Sequence, residues 1–502
     1  MTKILKTPGV YIEEKNAFPG SVVEVATAIP AFIGYTKKAD RNSKTLVNKP
    51  TRISSLAEYL LLFGEAFNPK FKLDSKSIDP KKPDKHLITL NGEEKAISYN
   101  DNHELYMYRS MQLFFANAGG TCYIVSVGAY DGKPDGVEIK KSELLVGLET
   151  LLKEQEPTMI VVPDAVKLNA DDCYAVYAHV LGHCAKMQSR VAILDVHDGA
   201  GLRIEGTVED GDVIAIFREK IGKEFLNYGA AYYPWLNTSI VSKQDVTFEN
   251  IADSVKLEDI LKEKDAQTII KEYAKAEEKT DTVKSNFHLG LLATSPTYVN
   301  LLEEIHEIMN LLPPSGALAG IYTMVDDSRG VWKAPANVGI GSVITPSSII
   351  THDQQESLNL DAISGKSINA IRTFPGIGTL VWGARTLDGN SLDWRYINVR
   401  RTIIMLEQSI KLALQSYVFE PNDVNTWTTV KSMIVNFLTE KWKQGALAGA
   451  SPDDAFDVQI GLGTTMTSRD ILEGRMLLSV KLAIVRPAEF IVITFQQQMQ
   501  RS

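Results

Sequence analysis

The chain has 502 residues, with 53 Lys+Arg against 62 Asp+Glu and a formal net charge of -9 at pH 7. That balance argues against the basic face that non-specific nucleic-acid binding requires, and the length exceeds what one compact core usually holds, so several domains are expected. Cys122, Cys173 and Cys184 are too few, and odd in number, for a disulfide framework, which points to a reducing compartment.

The N-terminus carries Lys3 and Lys6 but reaches Pro8-Gly9 without an apolar stretch, so no signal peptide is read there. No apolar run approaches the roughly 20 residues of a membrane span, and direct membrane insertion is not expected. Residues 10–14 form a short strand candidate between Pro8-Gly9 and Pro19-Gly20. Such a strand must add to a sheet edge, in its own chain or another. Residues 21–35 end in the strand-like AFIGYT. Residues 37–100 are rich in Lys, Asp and Pro and read as a solvated surface insertion, with a short helix at 56–63.

From residue 102 helices and strands alternate. Helices are expected at 104–117, 142–154, 170–189 and 212–221, and strands at 122–127, 159–163, 191–196 and 228–235. Alternation of this length indicates a mostly parallel sheet covered on both faces. Residues 242–285 are a second charged stretch, with spacing that suits a solvated helix. A helix over 297–310 has Ser295 as N-cap and Pro296 at its first position, and another helical run covers 315–324 before a loop at 326–337.

Residues 369–423 carry the densest pattern. A strand over 379–387, turn residues Asp388-Gly389-Asn390 and a strand over 394–399 read as a hairpin. A helix follows with Ile403, Leu406, Ile410, Leu414 and Tyr417 on one face, stopped by Pro421. A second long helix covers 424–443, with Gly445 where a terminating glycine belongs. A strand at 455–462, a short helix at SRDILEG with capping-box spacing from Thr467 to Asp470, and strands at 476–485 and 489–498 close the chain.

Catalytic signals are weak. Asp164, Asp195, His197 and Asp198 fall just after expected parallel strands, where carboxylates can hold a metal, so a metal-dependent hydrolase is the alternative reading. Asp at that place is also a common helix cap. His179 and His183 stand at i,i+4, but Val180 occupies the position that a zinc protease gives to its general base. Gly376-x-Gly378 and Gly461-x-Gly463 lack the third glycine and the βαβ setting of a dinucleotide site, and no phosphate loop occurs. No catalytic residue, metal or cofactor is expected, and no enzyme activity.

The segments TPGVYIEE (7–14), GIYTMVDDSRGVWKAPAN (320–337), NAIRTFPGIGTLVWGARTL (369–387), WRYINVRR (394–401), VFEPND (418–423) and RPAEFIVITFQQ (486–497) resemble the contractile tail sheath family. Its members are the sheath subunits of contractile phage tails and of phage-tail-like injection systems. The resemblance implies an α/β and α+β multidomain chain. An N-terminal strand-exchange arm would occupy 1–20. An inner sheath core domain would combine 21–36 with 345–502, both chain ends contributing. Residues 37–100 would be a charged surface insertion, and 101–344 a central alternating α/β domain with a charged insertion at about 242–285.

It further implies a structural protein, polymerised as stacked hexameric rings in a helical sheath around an inner tube. The polymer would act as a conformational switch whose contraction drives the tube through a target envelope. Implied partners are other copies of the chain, an inner tube protein, baseplate and terminator or cap proteins, and sister sheath proteins, with no nucleic acid. Intersubunit strand exchange would use Val10, Tyr11, Ile12 and Glu13 together with Phe490, Ile491, Val492, Ile493, Thr494 and Phe495. Arg469 and Glu473 would face the tube. Trp382, Arg385, Trp394, Arg400, Arg401 and Leu406 would form a structural hub. Assembly is expected in the bacterial cytoplasm, within a phage tail or a tail-like particle open to release.

Overall fold

The computed structural model describes residues 21–77, 85–201, 203, 205–361 and 363–492. The described chain divides into two compact units. The larger runs over Ala26–Arg401 and resumes at Arg486, and the smaller joins the segment up to Val25 with Thr402–Val485.

The larger unit is built on a nine-stranded sheet. Its strands lie in the order Val338–Gly339, Gly378–Val381, Asn369–Phe374, Gly229–Tyr233, Val191–Asp195, Met159–Val161, Pro30–Thr36, Cys122–Ala129 and Thr51–Ile53. The central pairs are parallel, and antiparallel strands close both edges. The stretch of alternating helices and strands from residue 104 to 235 supplies four of its strands, Cys122–Ala129, Met159–Val161, Val191–Asp195 and Gly229–Tyr233. Strands Pro30–Thr36, Met159–Val161 and Val191–Asp195 are buried along their whole length, as parallel strands covered on both faces must be.

Helices Met107–Ala116 and Ser315–Arg329 pack closely, and glycine makes the approach possible. A Cβ on Gly316 would meet the Ser110 carbonyl at 2.6 Å, and one on Gly320 the Phe114 carbonyl at 2.7 Å. The second helix continues to Arg329, so the loop expected from 326 starts later.

Residues 37–100 depart from the reading of a solvated loop. Thr51–Ile53 edges the large sheet, Leu56–Phe63 is a helix capped by Ser55, and Phe71–Ser75, Glu93–Tyr99 and Leu87–Leu90 form a three-stranded antiparallel sheet. The apolar face of that sheet, Phe71, Ile88, Leu90 and Ile97, shares a core with Leu261, Phe287, Leu291, Leu301 and Ile305. The two charged stretches therefore complete one another: residues 242–310 supply helices Lys264–Lys275, Asp281–Thr294 and Pro296–Met309 to cover the sheet. Ser295 caps the last helix with Pro296 at its start, as read from the sequence.

The hairpin expected at residues 388–390 is displaced. The turn falls at 375–377, between Asn369–Phe374 and Gly378–Val381, and Trp394–Val399 is not a strand. Helix Ile397–Leu414 begins there instead. The alternation of large and polar residues that suggested a strand serves a loop with a single bridge, Arg385 to Tyr396.

The smaller unit consists of the remainder of that helix, helix Val424–Lys443, and an antiparallel pair, Phe456–Ile460 with Leu478–Leu482. The buried face of the first helix follows Thr402, Met405, Leu406, Ser409, Ile410 and Ala413. It is rotated from the expected stripe, since Ile403, Leu414 and Tyr417 are only partly buried. Gly445, at φ +84, reverses the chain after the second helix. The inner domain expected over 21–36 and 345–502 is accordingly redrawn: Pro30–Thr36 and Asn369–Val381 are strands of the large sheet, and the division falls at 401/402. No helix of the described residues is long and apolar enough to cross a membrane.

Candidate functional site

The carboxylates placed after the parallel strands are occupied by the backbone. Asp164 is fully buried and accepts N–H groups from Tyr35 at 2.9 Å, Tyr106 at 2.7 Å and Met107 at 3.1 Å. Asp195 accepts the Ser315 N–H at 2.8 Å and its hydroxyl at 2.5 Å. Each carboxylate thus sits at the start of a helix, satisfying orphan N–H groups and facing the positive end of the helix dipole. Burial pushes Asp164 up to about 6 and Asp195 up to about 7, and the same hydrogen bonds oppose the rise.

His197 turns its Nε2 to the Leu168 carbonyl at 2.8 Å, and Asp198 is an exposed turn residue at φ +56. The four residues of the hydrolase alternative do not assemble a metal-binding group among the described residues. They are helix and turn supports. His179 bonds the Ala175 carbonyl one turn back, while His183 is buried beside Arg190, and burial followed by that guanidinium lowers it to about 4. The three cysteines are free and buried, and burial raises each thiol, Cys184 to about 12.

Polar clamps also hold the residues next to both chain ends. At the N-terminal root, within the smaller unit, the Val25 N–H donates to Ser409 Oγ at 3.1 Å, and Lys441, itself buried, pairs with Glu24. At the C-terminal root, within the larger unit, Glu489 receives Arg385 through Nε at 3.0 Å and Nη2 at 2.6 Å, Asn359 at 2.8 Å and the Tyr396 hydroxyl at 3.0 Å. Arg385 is nearly inaccessible and also donates to the Asn359 carbonyl at 2.8 Å. Burial works against the Glu489 charge, but the bonds from Arg385, Asn359 and Tyr396 prevail and hold its pKa below the usual glutamate value.

Beyond that clamp the chain leaves the body. Phe490, Ile491 and Val492 are 68%, 79% and 89% exposed, an apolar run with no ladder partner among the described residues. Ile493, Thr494 and Phe495, like Val10, Tyr11, Ile12 and Glu13, lie outside the described residues.

The hub residues mostly hold local structure. Arg401 and Asp326 form a two-pronged buried pair, at 2.8 and 2.6 Å. Thr27 joins it, donating its hydroxyl to Asp326 at 2.7 Å and accepting Arg401 at its carbonyl at 2.9 Å. Arg400 lies over the Tyr228 ring at 4.1 Å and the Trp394 ring at 4.7 Å. Trp382 departs from the expected core role: it is 37% exposed and packs at a tilt on the Phe374 ring, because it directly follows strand Gly378–Val381, which lies next to the sheet edge. Asp326 and Glu489 are not among the residues that the sequence points to, although they lie in the motifs DDSRG and RPAEF.

On the smaller unit, helix Ser468–Leu472 has the capping box of Thr467 and Asp470. Arg469 pairs with Glu473 at 2.7 Å, and Arg475 with Glu473 at 2.6 Å and Asp470 at 2.8 Å. Leu472, 87% exposed, projects beside this ion network.

Residues 390–498 match the phage tail sheath C-terminal domain family. Over its full length the chain is similar to the sheath complex of an extracellular contractile injection system, PVC, in its contracted state: 28% identity, 99% of each chain covered, TM-score 0.61. The similarity is to contractile tail sheath proteins. A chain in the six-fold symmetrised baseplate of the anti-feeding prophage is 28% identical, with 99% of this chain and 100% of that one covered and a TM-score of 0.60. The tail sheath protein of Vibrio phage KVP40 is 28% identical over 128 residues, which is 26% of this chain but only 19% of that protein. The chain thus spans about a fifth of that curated relative's length and nearly all of the injection-system chains.

Proposed function

We propose that this chain is the structural subunit of a contractile sheath, polymerised as stacked six-membered rings around an inner tube. The observation that carries the reading is the end-to-end similarity to a sheath chain of an injection system, at 28% identity over 99% of both chains. The two pinned roots support it. A polymer that changes its lattice must transmit force through its connecting strands, and Glu489 and Glu24 fix the points at which those strands leave the body.

Strand exchange is assigned to the arm of residues 1–20, through Val10, Tyr11, Ile12 and Glu13, and to the run from Phe490 to Phe495. Each backbone hydrogen bond contributes only about 0.5–1.5 kcal/mol net, but a ladder is directional and repeated. Contraction is then a switch between two packings of one polymer. The helix Ser468–Leu472, with Arg469 and Glu473, is assigned to the inner tube face, and baseplate, cap and sister sheath proteins are the further partners. The particle is a phage tail or a tail-like injection system assembled in the cytoplasm. No step in this scheme requires bond-making chemistry.

Removal of Met1–Gly20 is expected to leave a folded subunit that no longer polymerises, measured by circular dichroism and sedimentation. Polymers unchanged in length and amount would refute the assignment of the arm.

A further inference from the structure

One side-chain cluster has no part in the cores described above. His86, at the entry to strand Leu87–Leu90, and Glu304 and Glu307, on helix Pro296–Met309, bring one nitrogen and two carboxylate oxygens within 4.8 Å of one another. His86 Nδ1 lies 3.0 Å from Glu304 Oε2, across 218 residues of sequence. Both side chains are largely shielded, at 18% and 31% exposure, whereas Glu307 is exposed.

The backbone beneath the cluster is fixed. The His86 carbonyl accepts the Ile97 N–H at 2.9 Å, and Ile88 and Leu90 pack in one core with Leu301, Leu302 and Ile305 of the helix. The glutamates stand at i,i+3, so they share a face one turn apart. Ligands about 2.0–2.2 Å from a tetrahedral ion are separated by roughly 3.3–3.6 Å, which the His86 and Glu304 atoms already approach and which a rotation of the Glu307 side chain brings within reach.

We propose that His86, Glu304 and Glu307 form a zinc site that staples the sheet of residues 71–99 to the helix of residues 296–309. The imidazole ligand favours a borderline divalent ion over magnesium or calcium, and zinc accepts three His and carboxylate ligands plus water. The site joins the two charged stretches of the chain into one module. The sequence gives no sign of it, because His86 and Glu304 lie 218 residues apart.

The test is equilibrium dialysis of the full chain against Zn2+, with metal analysis and thermal unfolding. One equivalent is expected to bind and to raise the midpoint of unfolding. His86→Gln and Glu307→Gln should each weaken binding at least tenfold, while His179→Gln, at a surface histidine elsewhere, should not. Glu307→Gln keeps the His86–Glu304 hydrogen bond and changes an exposed residue, so it decides the matter even where His86→Gln fails to fold. Absence of stoichiometric zinc, or binding that Glu307→Gln leaves unchanged, would show that the cluster is an ordinary hydrogen-bonded pair.

Discussion

Leu406→Asp is expected to prevent folding of the smaller unit. Leu406 is fully inaccessible, midway along the buried face formed with Met405, Ser409 and Ile410. The substitution removes about 2–5 kcal/mol of packing and places a carboxylate where it has no water, a cost of several kcal/mol more unless it stays protonated. Together these approach the whole stability of a typical domain. Soluble yield and near-ultraviolet circular dichroism read the outcome. Leu412→Asp, on the same helix but 52% exposed, should keep the fold. A folded Leu406→Asp monomer would mean that this face meets another subunit rather than its own core.

Arg401→Met is expected to destabilise the larger unit by about 3–5 kcal/mol, because it leaves Asp326 charged and buried. The Asp326 side chain is 2% exposed, and only the Thr27 hydroxyl would remain of the three groups that bond it in this network. The paired change Arg401→Met with Asp326→Leu should recover much of the loss, since an apolar pair needs no compensating charge. Urea unfolding of both variants measures this. A single variant within about 1 kcal/mol of the parent, or a double variant no better than the single, would contradict the role given to the pair.

The alternating core was legible because parallel strands buried on both faces leave continuous apolar runs, as in MIV at 159–161 and VAILD at 191–195. Caps were legible where the signal is local: Ser295 with Pro296, Thr467 with Asp470, and Gly445. The insertion at 37–100 reads as a loop because its apolar residues, Phe71, Ile88, Leu90 and Ile97, are spaced among charges and find their core only on helices some 200 residues away. The hairpin at 388–390 failed for a related reason. Asp388-Gly389-Asn390 does turn the chain, but Trp394 packs on Arg400, and helix Ile397–Leu414 begins before a second strand can form. Asp164 and Asp195 offered two meanings in the sequence, metal ligand or helix cap. Only the approach of Tyr106 and Ser315 from distant parts of the chain selects the cap. The clamp on Glu489 was equally invisible, because Asn359, Arg385 and Tyr396 converge on it from three separate segments.

Electron microscopy of the purified full-length chain tests the central claim most directly. Hollow tubes or stacked six-membered rings, wide enough to enclose a tube, are the expected result. A dispersed, folded monomer that persists at high concentration would contradict a sheath subunit.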